Sequence, residues 1–130
     1  MVRWLGRGMA GMWRARGAEV DVVTWAPTTP ARRRRRGFDQ AELLARVVAS
    51  ELRRPCLCLV SRRPGPPQTG RSEAERAGNP VFDAVRGAEG RRVLLIDDVV
   101  TTGATVAAAG RVLADSGAVR VHALAAAHPP

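Results

Sequence analysis

The sequence lacks lysine altogether, so all 21 of its basic residues are arginine. A genome biased toward GC-rich codons would exchange lysine for arginine everywhere, and arginine abundance alone therefore says little about function. The excess over 12 acidic residues still gives a formal net charge of +9. That charge, and an unbroken arginine run from Arg32 to Arg36, favour anionic partners such as phosphates, nucleic acid or an acidic protein over a plain solvated loop.

Cysteine and long apolar runs are also scarce. Cys56 and Cys58 have a spacing that places both on one face of a strand. No Cys-x-x-Cys pair occurs, and His122 and His128 lie far off in the sequence, so we expect buried, reduced thiols in a cytoplasmic protein and not a metal site. No run of about 18 apolar residues exists to span a membrane, and the N-terminus lacks the features of a secretory signal.

The length of 130 residues is that of one domain. Residues 1–18 have interleaved arginines and five apolar residues at near-helical spacing, which predicts an amphipathic helix; the five are Trp4, Leu5, Met9, Met12 and Trp13. Packing of this helix against the domain is favoured over a membrane-surface anchor. Residues 19–130 form the main domain.

Strand and helix patterns alternate along the main domain. The predicted strands are residues 20–25, 56–61, 81–85, 91–98 and 119–128; the predicted helices run from Asp39 to near Arg53 and over 102–117, and residues 28–37 are a predicted loop. This alternation predicts an α/β fold with a three-layer, parallel sheet. Ligands bind such sheets beyond the carboxyl ends of the strands.

One predicted strand ends in two acids followed by a loop of small and hydroxyl residues, DDVVTTGAT. The start of the following helix, with Thr101, Thr102 and Gly103, would form an anion cradle suited to a phosphate monoester. Asp97 and Asp98 beside it would instead face hydroxyl donors or Mg²⁺, and the combination suggests a ribose 5-phosphate. The alternative is a pair of ordinary strand-end acids with Thr101 as a helix N-cap.

The stretch VLLIDDVVTTGAT resembles the 13-residue signature of type I phosphoribosyltransferases, which bind 5-phosphoribosyl 1-pyrophosphate (PRPP). This resemblance implies a Rossmann-like phosphoribosyltransferase core. It implies that Asp97 and Asp98 contact the ribose hydroxyls. It also implies that the loop of Thr101, Thr102, Gly103, Ala104 and Thr105 wraps the 5-phosphate.

Two further segments resemble the ComF family within that superfamily, whose members are linked to DNA uptake in competence. They are RRRRRGFDQAELLARVVA and QTGRSEAERAGNPVFDAV, and the similarity extends from about Val20 to Ala125. Asp39 replaces the family's usual asparagine. The cysteine-rich zinc ribbon is absent, so the chain resembles the C-terminal part of such a protein, with residues 19–130 as a phosphoribosyltransferase-like domain.

The resemblance gives the arginine run and the long polar segment specific roles. The loop at Pro27–Phe38 would hold pyrophosphate, with Arg36 stabilising the charge of the leaving group. Residues 63–79 would form a flexible loop that closes over PRPP, with Gln68, Arg71, Arg76 and Asn79 as its polar candidates; the alternative for each is a solvated surface position. Mg²⁺ would bind through PRPP, with no direct protein ligand.

Three hypotheses for function follow. The first is a phosphoribosyltransferase that transfers phosphoribosyl to an unidentified acceptor and releases pyrophosphate. The second is a competence factor without turnover that binds single-stranded DNA, although only Trp25 and Phe38 are placed to stack on bases. The third is an inactive remnant. A homodimer is an open alternative for the assembly.

Overall fold

The computed structural model describes residues 2–63, 80–99 and 103–127. Within them, helices and strands alternate along most of the chain. The elements are α1 (Val2–Arg16), β1 (Val22–Trp25), α2 (Pro30–Arg36), α3 (Gln40–Leu52), β2 (Val60–Arg62), β3 (Phe82–Ala84), β4 (Arg92–Val99), α4 (Ala104–Asp115) and β5 (Arg120–Ala127).

The central sheet is three-stranded and parallel, in the order β1, β4, β5. Its middle strand β4 is covered on both faces, which is why its sequence is continuously apolar. Val93 and Leu95 pack on one face, whereas Leu94 and Ile96 pack on the other. The predicted α/β fold with a parallel sheet between two outer layers is confirmed.

Helices α1 and α3 form one outer layer. Trp13 of α1 and Leu44 and Val48 of α3 are buried against the sheet. The two helices cross closely at Gly6, where an added Cβ atom would meet a methyl carbon of Val47 at 2.5 Å. The amphipathic segment thus packs against the domain. No helix among the described residues is long and apolar enough to cross a membrane.

The opposite layer contains α4 and a small antiparallel sheet of β2 and β3. The strand predicted at 56–61 is wrong in its extent, because the ladder begins only at Val60 and Cys56 makes a single parallel bridge to Val23. Leu59 takes the buried position and leaves Cys58 exposed. The expectation that both thiols are buried is therefore wrong, because Cys58 is exposed and Cys56 is only partly buried.

The arginine run is helical, whereas a loop was predicted there. Thr29 caps α2 by accepting a hydrogen bond from the Arg32 amide at 3.1 Å, and Pro30 suits the first helical position. Gly37 ends the helix with φ at 78°, a left-handed conformation that glycine adopts without strain. These capping signals outweigh the repulsion between neighbouring guanidiniums.

Candidate active site

A cleft of about 320 Å³ lies at the carboxyl edge of the sheet. The parallel register pairs Trp25 with Ile96, and the amide of Ala26 donates to the carbonyl of Ile96 at 3.0 Å. The chain leaving β1 therefore runs beside Asp97. Parallel strands bring their carboxyl ends to one edge, where ligands of such sheets bind.

Asp97 is a buried acid that lines this cleft, with 5% of its surface exposed. Burial raises its pKa to about 7, and the neighbouring carboxyl of Asp98 and the charge of Asp39 add to the shift. The Asp98 amide donates to Asp97 Oδ1 at 2.9 Å, which opposes it. Asp97 thus holds its negative charge at a cost that a hydrogen-bond donor or cation in the cleft would reduce.

Asp98 also lines the cleft, and the start of α4 reaches it through Thr105. Gly103 is the N-cap of α4, with φ at 82° and no side chain to accept a hydrogen bond there. The alternative that Thr101 caps the helix is therefore wrong. Ala104 is the first residue of the helix. Both carboxylates of the signature and one of its three threonines thus line one cavity.

Three arginines line the same cleft. Arg32 and Arg36, one helical turn apart on α2, share a face, and Arg62 approaches from β2. Arg62 stacks over the ring of Phe82 at 5.7 Å, and burial, together with the charge of Arg32, lowers its pKa. Arg36 was predicted for the site. Arg32 and Arg62 were not, and the four-residue spacing within the arginine run is the sequence signal for Arg32.

Asp39 is the other site residue that the sequence assigned only in part. It is the N-cap of α3, as predicted, with Oδ1 accepting from the Ala41 amide at 3.1 Å. Its Oδ2 also accepts from the Thr28 amide at 2.9 Å, and Asp39 lines the cleft. No local pattern indicates this second bond, which joins residues 11 positions apart.

Several predicted site residues lie outside the described part of the chain. These are Thr101 and Thr102 of the phosphate loop, and Gln68, Arg71, Arg76 and Asn79 of the predicted closing loop. Their assigned roles stay predictions. Within residues 2–63, 80–99 and 103–127, no three His, Cys, Asp or Glu side chains are grouped to hold a metal ion.

The cleft is lined by the neighbouring Asp97 and Asp98, by Asp39, and by three arginines. The carboxylates can accept hydrogen bonds from hydroxyl groups, and the guanidiniums can donate to phosphate oxygens. The site is thus suited to a ligand that carries both a diol and phosphate groups.

A family model for the phosphoribosyl transferase domain matches residues 34–130. The chain therefore belongs to the phosphoribosyl transferase domain family, and this assignment agrees with the fold and with the position of the cleft.

The curated relatives include two competence proteins. The chain is 36% identical over 98 residues to competence protein ComFC of Bacillus subtilis (strain 168), which covers 74% of this chain and 39% of that protein. It is 33% identical over 94 residues to ComFC of Streptococcus pneumoniae (strain ATCC BAA-255 / R6), covering 71% and 41%. The chain thus spans about two fifths of the length of these relatives, consistent with a resemblance to part of a ComF protein.

A solved structure shares the fold. Glutamine PRPP amidotransferase from B. subtilis, in complex with ADP and GMP, superposes with a TM-score of 0.67 and 26% identity. The match covers 98% of this chain and 26% of that enzyme. The α/β core with its parallel sheet is therefore the one that such PRPP enzymes contain.

Proposed function

We propose that this chain binds PRPP and acts as a cytoplasmic phosphoribosyltransferase of the ComF type. The observation that carries the proposal is the pairing of Asp97 and Asp98 with Arg32 and Arg36 across one cleft. The ribose hydroxyls would donate to the two carboxylates, and the pyrophosphate would lie against the arginines. The 5-phosphate would lie at the start of α4, near Thr105 and the loop that precedes it.

The reaction is a substitution at C1 of the ribose. The bond from C1 to the pyrophosphate oxygen breaks, pyrophosphate leaves with the electron pair, and the acceptor forms the new bond to C1 while losing a proton. Arg36 and Arg32 would stabilise the negative charge on the leaving group, and Asp97 and Asp98 would stabilise the positive charge that develops on the ribose. Holding both ends of PRPP also fixes the direction of attack.

Mg²⁺ would bind through PRPP with no direct protein ligand, and the positive charge that it supplies would help to neutralise the leaving group. The residues of the cleft fit a Mg²⁺–PRPP ligand, because Asp97 and Asp98 can accept hydrogen bonds from ribose hydroxyls and their negative charge would favour a nearby cation. Deprotonation of Asp97 would accompany binding, since hydroxyl donors and a nearby cation favour the charged form.

Calorimetric titration with PRPP and Mg²⁺ tests the proposal, with assays for pyrophosphate release as acceptors are screened. We expect saturable binding, and weaker binding of ribose 5-phosphate because it lacks the group that the arginines contact. A folded protein that binds neither compound would overturn the assignment and favour the inactive remnant.

A second candidate function is binding of single-stranded DNA without turnover. It is favoured by Arg33, Arg34 and Arg35, which are exposed on α2 outside the cleft, and by Phe38, 41% exposed beside them. Trp25 is buried under α3 and is unavailable for stacking on a base. This surface would therefore contact phosphates more than bases.

Titration of an oligonucleotide at several salt concentrations tests this second function. Binding through the three outward arginines predicts a log–log salt slope of about −2 for single strands, which the triple substitution to serine would abolish. A slope near zero in the wild-type protein would exclude the phosphate-contacting surface.

A further inference from the structure

We infer that Asp39 is the positioning residue of the cleft: its carboxylate fixes the orientation of α2 and thereby the positions of Arg32 and Arg36. Asp39 has 5% of its surface exposed and lies at the junction between α2 and α3. The inference deepens the proposed function, on which it rests for its binding test.

The first step concerns what Asp39 bonds. Both of its partners are amide donors, Thr28 N at 2.9 Å from Oδ2 and Ala41 N at 3.1 Å from Oδ1. A carboxylate satisfies both because it has two acceptor oxygens. An asparagine has one acceptor and one amino group, so one of the two donors would face another donor.

The hydrogen bond between Asp39 and Thr28 connects the residues on either side of α2. Thr28 precedes α2 and Asp39 follows it. This hydrogen bond therefore joins the two ends of the segment from Thr28 to Asp39, which contains α2. Helix α2 buries none of its residues. The caps at Thr29 and Gly37 stabilise the helix itself. Both lie between Thr28 and Asp39, so they do not fix the direction of α2 relative to the sheet.

Arg62 makes another contact near the start of this segment. Arg62 Nη1 lies 3.5 Å from the carbonyl oxygen of Pro27, at the outer limit for a hydrogen bond. The Asp39 bond is shorter and its acceptor is charged, so it is the stronger of the two. Without it, α2 is free to turn and Arg32 and Arg36 lose their fixed distance from Asp97.

Two substitutions separate this role from helix capping. Asp39→Ser keeps an N-cap side chain for α3 but has no second oxygen for the Thr28 amide. Asp39→Asn keeps the shape and presents an amino group to one donor. Glu42→Gln is the matched control, because it removes a charge from the same first turn of α3, where the Glu42 carboxylate accepts a hydrogen bond from Arg46.

The binding readout compares ligands that use the arginines with one that does not. We expect both Asp39 variants to bind Mg²⁺–PRPP and inorganic pyrophosphate about tenfold more weakly than wild type. Binding of ribose 5-phosphate should not weaken, because loss of the Asp39 charge favours the charged form of Asp97, and all three affinities should be unchanged in Glu42→Gln. An equal loss for ribose 5-phosphate, or no loss for any ligand, would overturn the inference.

A second readout needs no ligand. Trypsin cleaves after arginines in a helix only when the segment opens, so mass spectrometry of early products can compare cleavage at Arg33–Arg35 with cleavage at Arg46 in α3. We expect cleavage in α2 to rise about tenfold in Asp39→Ser while cleavage at Arg46 is unchanged. An equal rise at both sites, or at neither, contradicts the positioning role. If wild type binds no PRPP, the proposed function fails and this comparison still decides the inference.

Discussion

An aspartate lies at each end of β4, Asp21 beside its start and Asp97 near its end, and their pKa values are shifted in opposite directions. At its start, the Arg92 guanidinium binds Asp21 through Nη2–Oδ1 and Nε–Oδ2 contacts of 2.8 and 3.0 Å, and the Arg92 amide donates to Oδ2 at 2.7 Å. These hydrogen bonds hold the pKa of Asp21 well below its ordinary value. At the far end, burial and a neighbouring carboxyl raise the pKa of Asp97 to about 7.

The difference in pKa shifts distinguishes a structural ion pair from a candidate binding site. The Asp21 charge is matched by a cation in direct contact, so a ligand would gain little there. The Asp97 charge is buried beside another acid, while Arg32, Arg36 and Arg62 line the same open cleft. Buried carboxylates with shifted pKa values in a cleft cluster at functional sites. The carboxyl end of β4 thus has the charge arrangement expected of a ligand site. The ion pair at the amino end stabilises the pairing of β4 with β1.

The largest expected effect comes from removing the carboxylates at the cleft end. Asp97→Asn/Asp98→Asn should weaken PRPP binding at least about 100-fold, because two charge-assisted hydrogen bonds to the ribose are lost. Isothermal titration calorimetry measures this, and circular dichroism verifies that the variant is folded. Asp21→Asn is the control at the other end and should bind PRPP as wild type does. Wild-type affinity in the double variant would contradict the assigned roles of both acids.

The next effect distinguishes geometry from net charge within the arginine run. Arg32→Ser/Arg36→Ser should weaken PRPP binding about tenfold, because both guanidiniums line the cleft. Arg33→Ser/Arg34→Ser removes the same charge from the same helix and should change PRPP affinity little. Calorimetry at one fixed ionic strength compares the two. Equal losses would mean that PRPP responds to the overall positive field of α2 and not to two placed side chains.

Much of the fold followed from local signals in the sequence. The apolar run of β4 indicated a strand covered on both faces, and the cap at Asp39 marked the start of α3 within one residue. The α2 helix was missed because a run of arginines suggests a solvated loop, although Thr29, Pro30 and Gly37 together carry its start and stop signals. Charge composition outweighed capping in the prediction, and the opposite holds in the structure.

The site was predictable only where its residues share a motif. Asp97 and Asp98 stand next to each other in one signature, so the sequence sufficed to single them out. Arg62 reaches the cleft from a different strand, and the bond from Asp39 to Thr28 depends on how two loops meet. Such contacts are set by tertiary packing, and no periodicity or local spacing reports them.

A smaller effect concerns stability. Because the native pKa of Asp97 is raised from 3.8 to about 7, the folded protein binds a proton that the unfolded chain releases between these values. Stability should therefore fall as pH rises from about 4 to 7 and level off above 7. Asp97→Asn removes this cost and should raise the free energy of unfolding at pH 8 above that of wild type, as measured in urea.

The comparison for that prediction is made at both pH values. At pH 4, where Asp97 is protonated in the native protein, Asp97→Asn and wild type should have nearly equal stability. A variant less stable than wild type at pH 8 would mean that the carboxylate is compensated in the folded protein, and the contrast between the two ends of β4 would then fail.

The smallest effect is expected at the amino end of β4, because Asp21 and Arg92 are partly exposed and their attraction is screened by salt. The pKa of Asp21 is lowered in the folded state, so its contribution is present above its ordinary value of 3.8 and is lost as pH falls through and below it. Asp21→Asn should therefore lower the melting temperature slightly at pH 7, with the difference from wild type shrinking on acidification and at high salt.

PRPP affinity should not change in Asp21→Asn, since Asp21 lies at the other end of the strand from Asp97. If calorimetry showed weaker PRPP binding in Asp21→Asn, the two ends would be coupled through β4, and the amino-end pair would act on the cleft by fixing the register between β1 and β4.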